Sequence, residues 1–300
     1  MVPPVLRTHE LTKKYGEFAA LDSVSITVSQ GAIYGLIGRN GAGKTTLFKC
    51  VMGLGAPTAG TVEIEGESVH LNAARSKIGF MISPSFFSYL SGKENLDYLR
   101  RVKGIGDKSE TGRVLEMVGL GGVKKPFGAF SLGMKQRLGI AGALLGSPPI
   151  LVLDEPINGL DPQGIIEMRN VIRDVHSTTS ATLIISSHIL SELDLVATHF
   201  GFIEQGHLLK EISHSDLHEQ TRKTVRIDVD DAVVAQTLLH DMGVDEVEVS
   251  GESLVLRTHL DRTHDIARTL VQGGVNLRDL HRQETTLEEY FVRLVGGHDA

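Results

Sequence analysis

A glycine-rich loop between an apolar run and a helical segment limits what this chain can fold into more than any other feature. The loop, residues 38–45, reads GRNGAGKT and fits the pattern G-x-x-x-x-G-K-[ST]. It follows the short apolar run AIYGLIG and precedes a segment of helical character, residues 45–52. This order of strand, loop and helix predicts an α/β fold in which backbone N–H groups of the loop bind phosphate.

The residue types within the loop suit the phosphates of a nucleotide. Glycines at positions 38, 41 and 43 let N–H groups approach phosphate oxygens without a Cβ in the way. Lys44 adds a positive charge for the outer phosphates, and the Thr45 hydroxyl is placed for Mg²⁺. The predicted nucleotide-binding residues of the loop are Gly38, Arg39, Asn40, Gly41, Ala42, Gly43, Lys44, Thr45 and Thr46.

An acidic pair follows a second apolar run. The stretch PILVLDEP ends in Asp154 and Glu155, and a similar run, ATLIISSH, ends in His188. Asp154 suits Mg²⁺, usually through water, and Glu155 is free to polarise an attacking water, a role worth about 10²–10⁴-fold in rate. A solvated acidic pair is the alternative, which the phosphate loop disfavours. Apolar strands of this kind predict a sheet covered by helices.

Composition narrows the functional class. The chain of 300 residues is 41% hydrophobic and 22% charged, which is ordinary for a soluble protein with more than one core. Its formal net charge is −7 without a dense Lys/Arg block, so a nucleic-acid partner is disfavoured. Cys50 is the only cysteine, which fits a reducing compartment. The longest uncharged run, residues 138–153, is interrupted by glycines and prolines, so no bilayer span is predicted.

The hydrophobic pattern changes along the chain. Near the N-terminus, SVSITVS alternates with period two and predicts one strand over residues 23–29. Residues 84–149 are predicted to be mainly helical. After residue 217 the pattern predicts the order βαββαβ, a ferredoxin-like α+β arrangement, followed by an amphipathic helix at TTLEEYFVRLVGG. We therefore expect a nucleotide-binding domain over residues 1–217 and an accessory domain over residues 218–300.

A second turn decides which nucleotide enzyme this sequence resembles. The stretch FSLGMKQRLG resembles the signature of ABC nucleotide-binding domains, with Phe130 to Gly133 in the places of Leu, Ser, Gly and Gly. The resemblance implies an α/β P-loop NTPase fold with a helical subdomain. It also implies that Ser131 and Gly133, at a helix start, bind the γ-phosphate held by an opposite subunit. Two chains would then close over two ATP·Mg²⁺. A plain helix cap is the alternative for the turn.

The same resemblance, which covers residues 3–217, assigns further roles. Tyr15 falls where an aromatic ring stacks on adenine, and Asp161 of NGLDP falls where two subunits meet. His188 takes the place of the residue that contacts γ-phosphate. One position departs from the family. At this position the family has a Gln or Glu that touches Mg²⁺ and couples to the membrane partner. The nearest equivalent in this sequence is Ser83, whose side chain reaches the metal only through water.

Within the family, the chain looks closest to ATPases of antibiotic and peptide exporters of the bacitracin-resistance type. That likeness implies a peripheral subunit at the cytoplasmic side of the cell membrane, a homodimer docked on a separately encoded multi-span membrane subunit. The aromatic cluster Phe86, Phe87 and Tyr89 either lines the docking groove or fills the helical subdomain. The alternative functions are a soluble ABC ATPase and a ligand-sensing regulator. A metal site at His214 and His218 is disfavoured against a solvated helix face.

Overall fold

Two structural units follow one another along the chain. The computed structural model describes residues 4–221, 223–283 and 286–296. One compact unit extends to His214, and the other begins at Ser215. The domain boundary expected at residue 217 falls inside helix α8 (His214–Gln220), three residues beyond this division.

A mostly parallel sheet forms the centre of the first unit. Its six strands in spatial order are β11 (His207–Ser213), β10 (His199–Glu204), β4 (Ile33–Ile37), β9 (Thr182–Ser187), β8 (Ile150–Leu153) and β7 (Ile78–Met81). All neighbours are parallel except β10 and β11. Every residue of β4, β8 and β9 is buried, as the apolar runs predicted.

An antiparallel sheet forms the N-terminal part of the same unit. It contains β1 (Pro4–Tyr15), β2 (Phe18–Val24), β3 (Thr27–Ser29), β5 (Ala59–Ile64) and β6 (Glu67–Ser68). The single strand predicted over residues 23–29 is wrong, because the chain leaves the ladder between β2 and β3. Ser23 has a left-handed φ of 54°, and the Ile26 N–H donates to the Thr8 hydroxyl at 2.9 Å.

Helices of the first unit occupy both regions predicted to be helical, residues 45–52 and 84–149, and further segments that were not predicted. They are α1 (Lys44–Val51), α2 (Asn72–Ser76), α3 (Gly92–Val102), α4 (Glu110–Met117), α5 (Leu132–Leu144), α6 (Pro162–Thr179) and α7 (Leu190–Asp194). Residues 84–149 contain α3, α4 and α5, so the prediction of a mainly helical segment is confirmed. A capping box formed by Ser91 and Glu94 starts α3.

The second unit has its own sheet and core. Its elements are β12 (Thr224–Val229), α9 (Ala232–Asp241), β13 (Val247–Ser250), β14 (Ser253–Leu256), α10 (Thr263–Gln272), β15 (Leu277–Gln283) and α11 (Leu287–Gly296). The strands lie in the order β13-β14-β12-β15 and all pair antiparallel. Ile227, Leu254, Leu239 and Ile266 lie in one buried cluster, so the helices α9 and α10 cover the sheet.

Helix length and polarity bear on membrane crossing. Helix α6 has 18 residues but carries charges throughout, including Glu167, Arg169 and Arg173. Over the three described ranges, no helix combines the length and the apolar character needed to cross a bilayer.

Candidate nucleotide site

The phosphate loop joins the end of β4 to the start of α1, and its glycines are required by backbone geometry and by close packing. Gly41 and Gly43 have φ values of 86° and 108°, a region that residues with a Cβ rarely adopt. A Cβ on Gly38 would lie 2.4 Å from the carbonyl oxygen of Ile203 in β10. The loop therefore lies directly against the central sheet, and its shape depends on glycine at these positions.

The start of α1 has the properties of an anion site. The residue before the helix is Gly43, which brings no side chain to cap the first N–H groups. These groups have no partner within the helix and carry its positive dipole end. Lys44 is buried, and its ammonium donates to the carbonyl oxygens of Gly38 at 2.6 Å and Arg39 at 3.1 Å. The loop therefore fits the phosphate chain of ATP.

Asp154 connects the acidic strand end to the phosphate loop. It lies directly after β8, and only 6% of its surface is exposed. The Thr45 hydroxyl, in the first turn of α1, donates to Asp154 Oδ2 at 2.7 Å. A hydroxyl and a carboxylate supply the hard oxygen ligands that Mg²⁺ binds. Two of the three residues predicted for the metal, Thr45 and Asp154, are thus together, and their chemistry fits the ion.

Glu155 lies between two other predicted site residues. Its Oε1 is 3.1 Å from the Lys44 ammonium, and its Oε2 is 2.9 Å from Nδ1 of His188, which follows β9. Glu155 is largely buried and has a left-handed φ of 49°. The carboxylate therefore has a basic group on each side, and Lys44, Glu155 and His188 form one connected cluster.

Ser186 also belongs to this cluster, although it was not predicted from the sequence. Its side chain, in β9, is fully buried; the hydroxyl donates to Asp154 Oδ1 at 2.5 Å and accepts the Glu155 N–H at 2.9 Å. The available signal was a polar residue at the end of an otherwise apolar strand, two positions before His188. Side chains two apart in a strand share a face, so a strand predicted to end at His188 would place Ser186 on the same face.

The signature residues lie apart from this cluster. Ser131 is exposed and caps α5, where its hydroxyl accepts the Met134 N–H at 3.3 Å. Asp161 is exposed as well and caps α6 by accepting the Gly164 N–H at 2.8 Å. Within the described ranges, neither side chain hydrogen-bonds to a residue of the phosphate loop or to the acidic pair. The structure therefore gives both residues a local capping role.

Tyr15 and Ser83 also lie outside the hydrogen-bonded cluster. Tyr15 ends β1 with 53% of its surface exposed, and the Lys13 ammonium lies 5.1 Å from its ring centroid. Ser83 is exposed in the loop after β7. In the described part of the chain, the hydrogen bonds to the Asp154 carboxylate come from Thr45 and Ser186. The adenine role of Tyr15 and the metal role of Ser83 remain predictions.

The aromatic cluster is partly packed inside the helical segment and partly exposed along a groove. A groove of about 550 Å³ has mainly apolar walls that include Phe80, Met81, Pro84, Phe86, Phe87, Tyr98 and Leu99. Phe86 is half-buried and packs edge-on against Phe127, with centroids 5.3 Å apart. Phe87 and Tyr89 are 41% and 74% exposed. Phe86 therefore serves both the helical segment and the groove, whereas Phe87 presents an apolar surface to solvent.

His214 contacts one acidic and one aromatic side chain of the first unit. Its Nε2 lies 3.5 Å from Asp194 Oδ1, and its ring stacks on Phe200 with centroids 6.2 Å apart. Both contacts lie within the first unit, whereas His218 belongs to the second. The interpretation of His214 and His218 as a solvated helix face stays a prediction.

Comparison with known proteins decides the family. Residues 21–158 match the family model described as ABC transporter. The chain is 40% identical to the bacitracin transport ATP-binding protein BcrA of Enterococcus faecalis, over 98% of this chain and 97% of that protein. It is 41% identical to BcrA of Bacillus licheniformis, over 98% of each. The chain belongs to the ABC transporter family.

A solved structure supports the same assignment at the level of the fold. The ATP-binding subunit of an ABC transporter superimposes with a TM-score of 0.63 and 27% identity, over 72% of this chain and 92% of that chain. The predicted ABC nucleotide-binding fold is confirmed. The chain is therefore an ABC ATPase and an ATP-binding subunit of a transporter, related to the bacitracin-transport type.

Proposed function

We propose that two copies of this ABC ATPase bind two ATP·Mg²⁺ at a shared interface and drive export of a peptide antibiotic. The observation that carries the proposal is the contrast between a complete buried cluster around Lys44 and an exposed Ser131 turn. In the proposed site the turn comes from a second subunit. The lack of a hydrogen bond between the turn and the cluster within the described chain supports this arrangement.

The buried cluster supplies the part of the site that holds and cleaves ATP. The N–H groups at the start of α1 and the Lys44 ammonium hold the phosphates. Thr45 and Asp154 hold Mg²⁺, which supplies charge neutralisation at the outer phosphates, with Ser83 as a water-mediated contact. Glu155 orients and deprotonates the attacking water, and His188 contacts the γ-phosphate.

The exposed residues supply the part of the site that acts on the opposite subunit. Ser131 and Gly133, at the start of α5, offer a hydroxyl and N–H groups to the γ-phosphate of the partner chain. Asp161 lies at the subunit contact, and Tyr15 stacks on adenine. Contacts of about 1.5–3 kcal/mol each form only in the closed dimer, so ATP favours closure and hydrolysis favours opening.

The apolar groove is the proposed docking site for a separately encoded, multi-span membrane subunit. Phe87 and Tyr98 remain 41% and 53% exposed there, and exposed apolar surface of this kind is typical of an interaction site. A helix of the membrane subunit that inserts an apolar face would cover them. In this proposal the chain is a peripheral subunit on the cytoplasmic side of the membrane. The names of the bacitracin-transport relatives support an antibiotic or peptide cargo.

The proposed domains follow the two structural units. Residues 1–217 form the ATP-binding domain, and residues 218–300 form an accessory domain. The strand order β13-β14-β12-β15 and the sequence βαββαβ support a ferredoxin-like fold for the accessory domain. Its core is made entirely of its own residues, which supports an independently organised unit.

The test is a pull-down of the tagged chain from native membranes in mild detergent, with companions identified by mass spectrometry. We expect a stoichiometric multi-span protein. Phe87→Ala should weaken its recovery, because it removes apolar surface from the groove. Phe18→Ala is the matched control, since Phe18 is 65% exposed, lies in β2 and is not one of the residues that line the groove. Recovery from the soluble fraction alone, without a membrane companion, would contradict the export function and leave the ATPase activity intact.

A further inference from the structure

We infer that Ser186 is a positioning residue that fixes the carboxylate of Asp154 and the backbone of Glu155 relative to each other. The inference rests on the proposed roles of these two acids in holding Mg²⁺ and activating water. Strands β8 and β9 pair in parallel, with Leu153 opposite Ile185. The next residue on each strand is therefore Asp154 on one side and Ser186 on the other.

The hydroxyl of Ser186 has one proton, and its surroundings determine where that proton points. Asp154 Oδ1, at 2.5 Å, can only accept, so the hydroxyl donates there. The Glu155 N–H, at 2.9 Å, can only donate, so the hydroxyl oxygen accepts there. Both bonds are made at once by a side chain without solvent exposure. One atom therefore connects the side chain of one acid to the main chain of the next.

The two oxygens of the Asp154 carboxylate have different hydrogen-bond donors, and this supports the inference. Ser186 holds Oδ1 and Thr45 donates to Oδ2, so each oxygen has one hydroxyl donor. Thr45 is itself a proposed metal ligand, whereas Ser186 lies behind the carboxylate in the central sheet. With Oδ1 held from behind, Oδ2 is the oxygen that is directed towards the phosphate loop. Partners of this kind orient a metal-binding carboxylate without touching the ion.

The backbone of Glu155 needs such a partner. Its φ of 49° is unusual for a residue with a Cβ, and a conformation of this kind persists only where neighbouring contacts fix it. The bond from the Glu155 N–H to Ser186 is one such contact. It turns the side chain towards Lys44 and His188, which lie 3.1 Å and 2.9 Å from its two oxygens. Loss of the hydroxyl should therefore misplace the general base.

The experiment compares Ser186→Ala and Ser186→Thr with a matched control, Thr182→Val. Thr182 is buried in the same strand, and its hydroxyl accepts the Gly31 N–H at 2.9 Å, at the far end of β9. For each variant we measure kcat, the Mg²⁺ concentration at half-maximal rate, the Kd for ATP with Mg²⁺ and with EDTA, and Tm.

We expect Ser186→Ala to lower kcat by about 10–100-fold and to weaken the tightening of ATP binding by Mg²⁺. Its Kd in EDTA should stay within about twofold of wild type, because the phosphate loop is unchanged. Ser186→Thr restores the hydroxyl and should recover most of kcat, even if its extra methyl lowers Tm. Thr182→Val should lower Tm without changing kcat or the effect of Mg²⁺.

Two outcomes would overturn the inference. The first is wild-type kcat and Mg²⁺ response in Ser186→Ala. The second is an equal effect of Ser186→Ala and Thr182→Val on every quantity, which would make the role of Ser186 purely structural. Glu155→Gln, measured in parallel, separates this failure from a failure of the proposed function. If Glu155→Gln loses hydrolysis while Ser186→Ala does not, only the inference is wrong; if Glu155→Gln hydrolyses normally, the proposed role of Glu155 is wrong.

Discussion

The buried cluster at the phosphate loop and the signature turn at the start of α5 differ in their exposure and in how their polar groups are hydrogen-bonded. In the cluster, Lys44 and Asp154 are each 6% exposed, and every charge has a partner in the same chain. In the turn, Ser131 is exposed and makes one long bond, 3.3 Å, to its own helix. A buried charge without a partner is costly, whereas an exposed hydroxyl is solvated by water. An exposed position therefore suits Ser131, which is proposed to bind the nucleotide of a second subunit.

The two regions also depend on different amounts of the surrounding fold. The buried cluster is held by the central sheet, since β4, β8 and β9 each deliver part of it. The turn needs only a helix start, which any Ser can cap. Changes in the cluster should therefore act within one chain, whereas changes in the turn should act across the interface.

The largest expected effect is that of Glu155→Gln. An amide cannot accept the proton of the attacking water, so hydrolysis should fall by about 10²–10⁴-fold. Binding of ATP·Mg²⁺ should persist, and the variant should accumulate as a closed dimer, measured by light scattering during size exclusion. Glu248→Gln, in the exposed β13 of the second unit, is the control. A monomer at saturating ATP would remove the main support for the two-chain site.

A mixing experiment tests whether the two regions act across an interface. Ser131→Arg blocks the turn, and Lys44→Ala disables the loop, so neither variant alone should hydrolyse ATP. A mixed dimer of the two contains one site with both parts intact. Mixing should restore up to about a quarter of wild-type activity, since half of the dimers are mixed and each has one good site. Activity that stays at the level of the separate variants would place both parts in one chain.

The smallest expected effect is at Tyr15. Its ring is 53% exposed and is proposed to stack on adenine, so Tyr15→Ala should raise the Kd for ATP by about 2–10-fold. Tyr15→Phe keeps the ring and should bind as wild type does. Tyr89→Ala removes another exposed ring, outside the phosphate-loop cluster, and serves as the control. Calorimetric titration measures all three; equal Kd values for Tyr15→Ala and wild type would remove the adenine role.

Three of the six strands of the central sheet, β4, β8 and β9, were predictable because buried parallel strands leave apolar runs in the sequence. The runs that became β4 and β8 are apolar, and that of β9 is apolar between Thr182 and the two serines at its end. The glycine loop marks where a strand turns into a helix. The pairing of Lys44, Asp154 and Glu155 followed from the chemistry that phosphate and Mg²⁺ need. The order of elements in the second unit followed from alternation between period two and helical spacing.

Other features were not predictable because they depend on partners distant in sequence. The alternation in SVSITVS correctly marks Val24, Ile26 and Val28 as buried, yet the ladder breaks where Thr8 bonds to the Ile26 backbone. The function of Ser186 depends on the register of β8 against β9, which periodicity does not reveal. The left-handed φ of Glu155 has no residue-type signal, since glutamate is not enriched in that conformation.

The ion pair between Lys44 and Glu155 gives the phosphate pocket a resident anion. An arriving nucleotide therefore exchanges one anion for another, and part of its attraction to the lysine goes into displacing the carboxylate. The Lys44 ammonium also donates to the carbonyl oxygens of Gly38 and Arg39, so Glu155 is one of three acceptors around it. In the proposed mechanism the carboxylate that pairs with Lys44 must leave it to act on the attacking water. Phosphate binding at Lys44 would therefore be coupled to activation of the proposed general base.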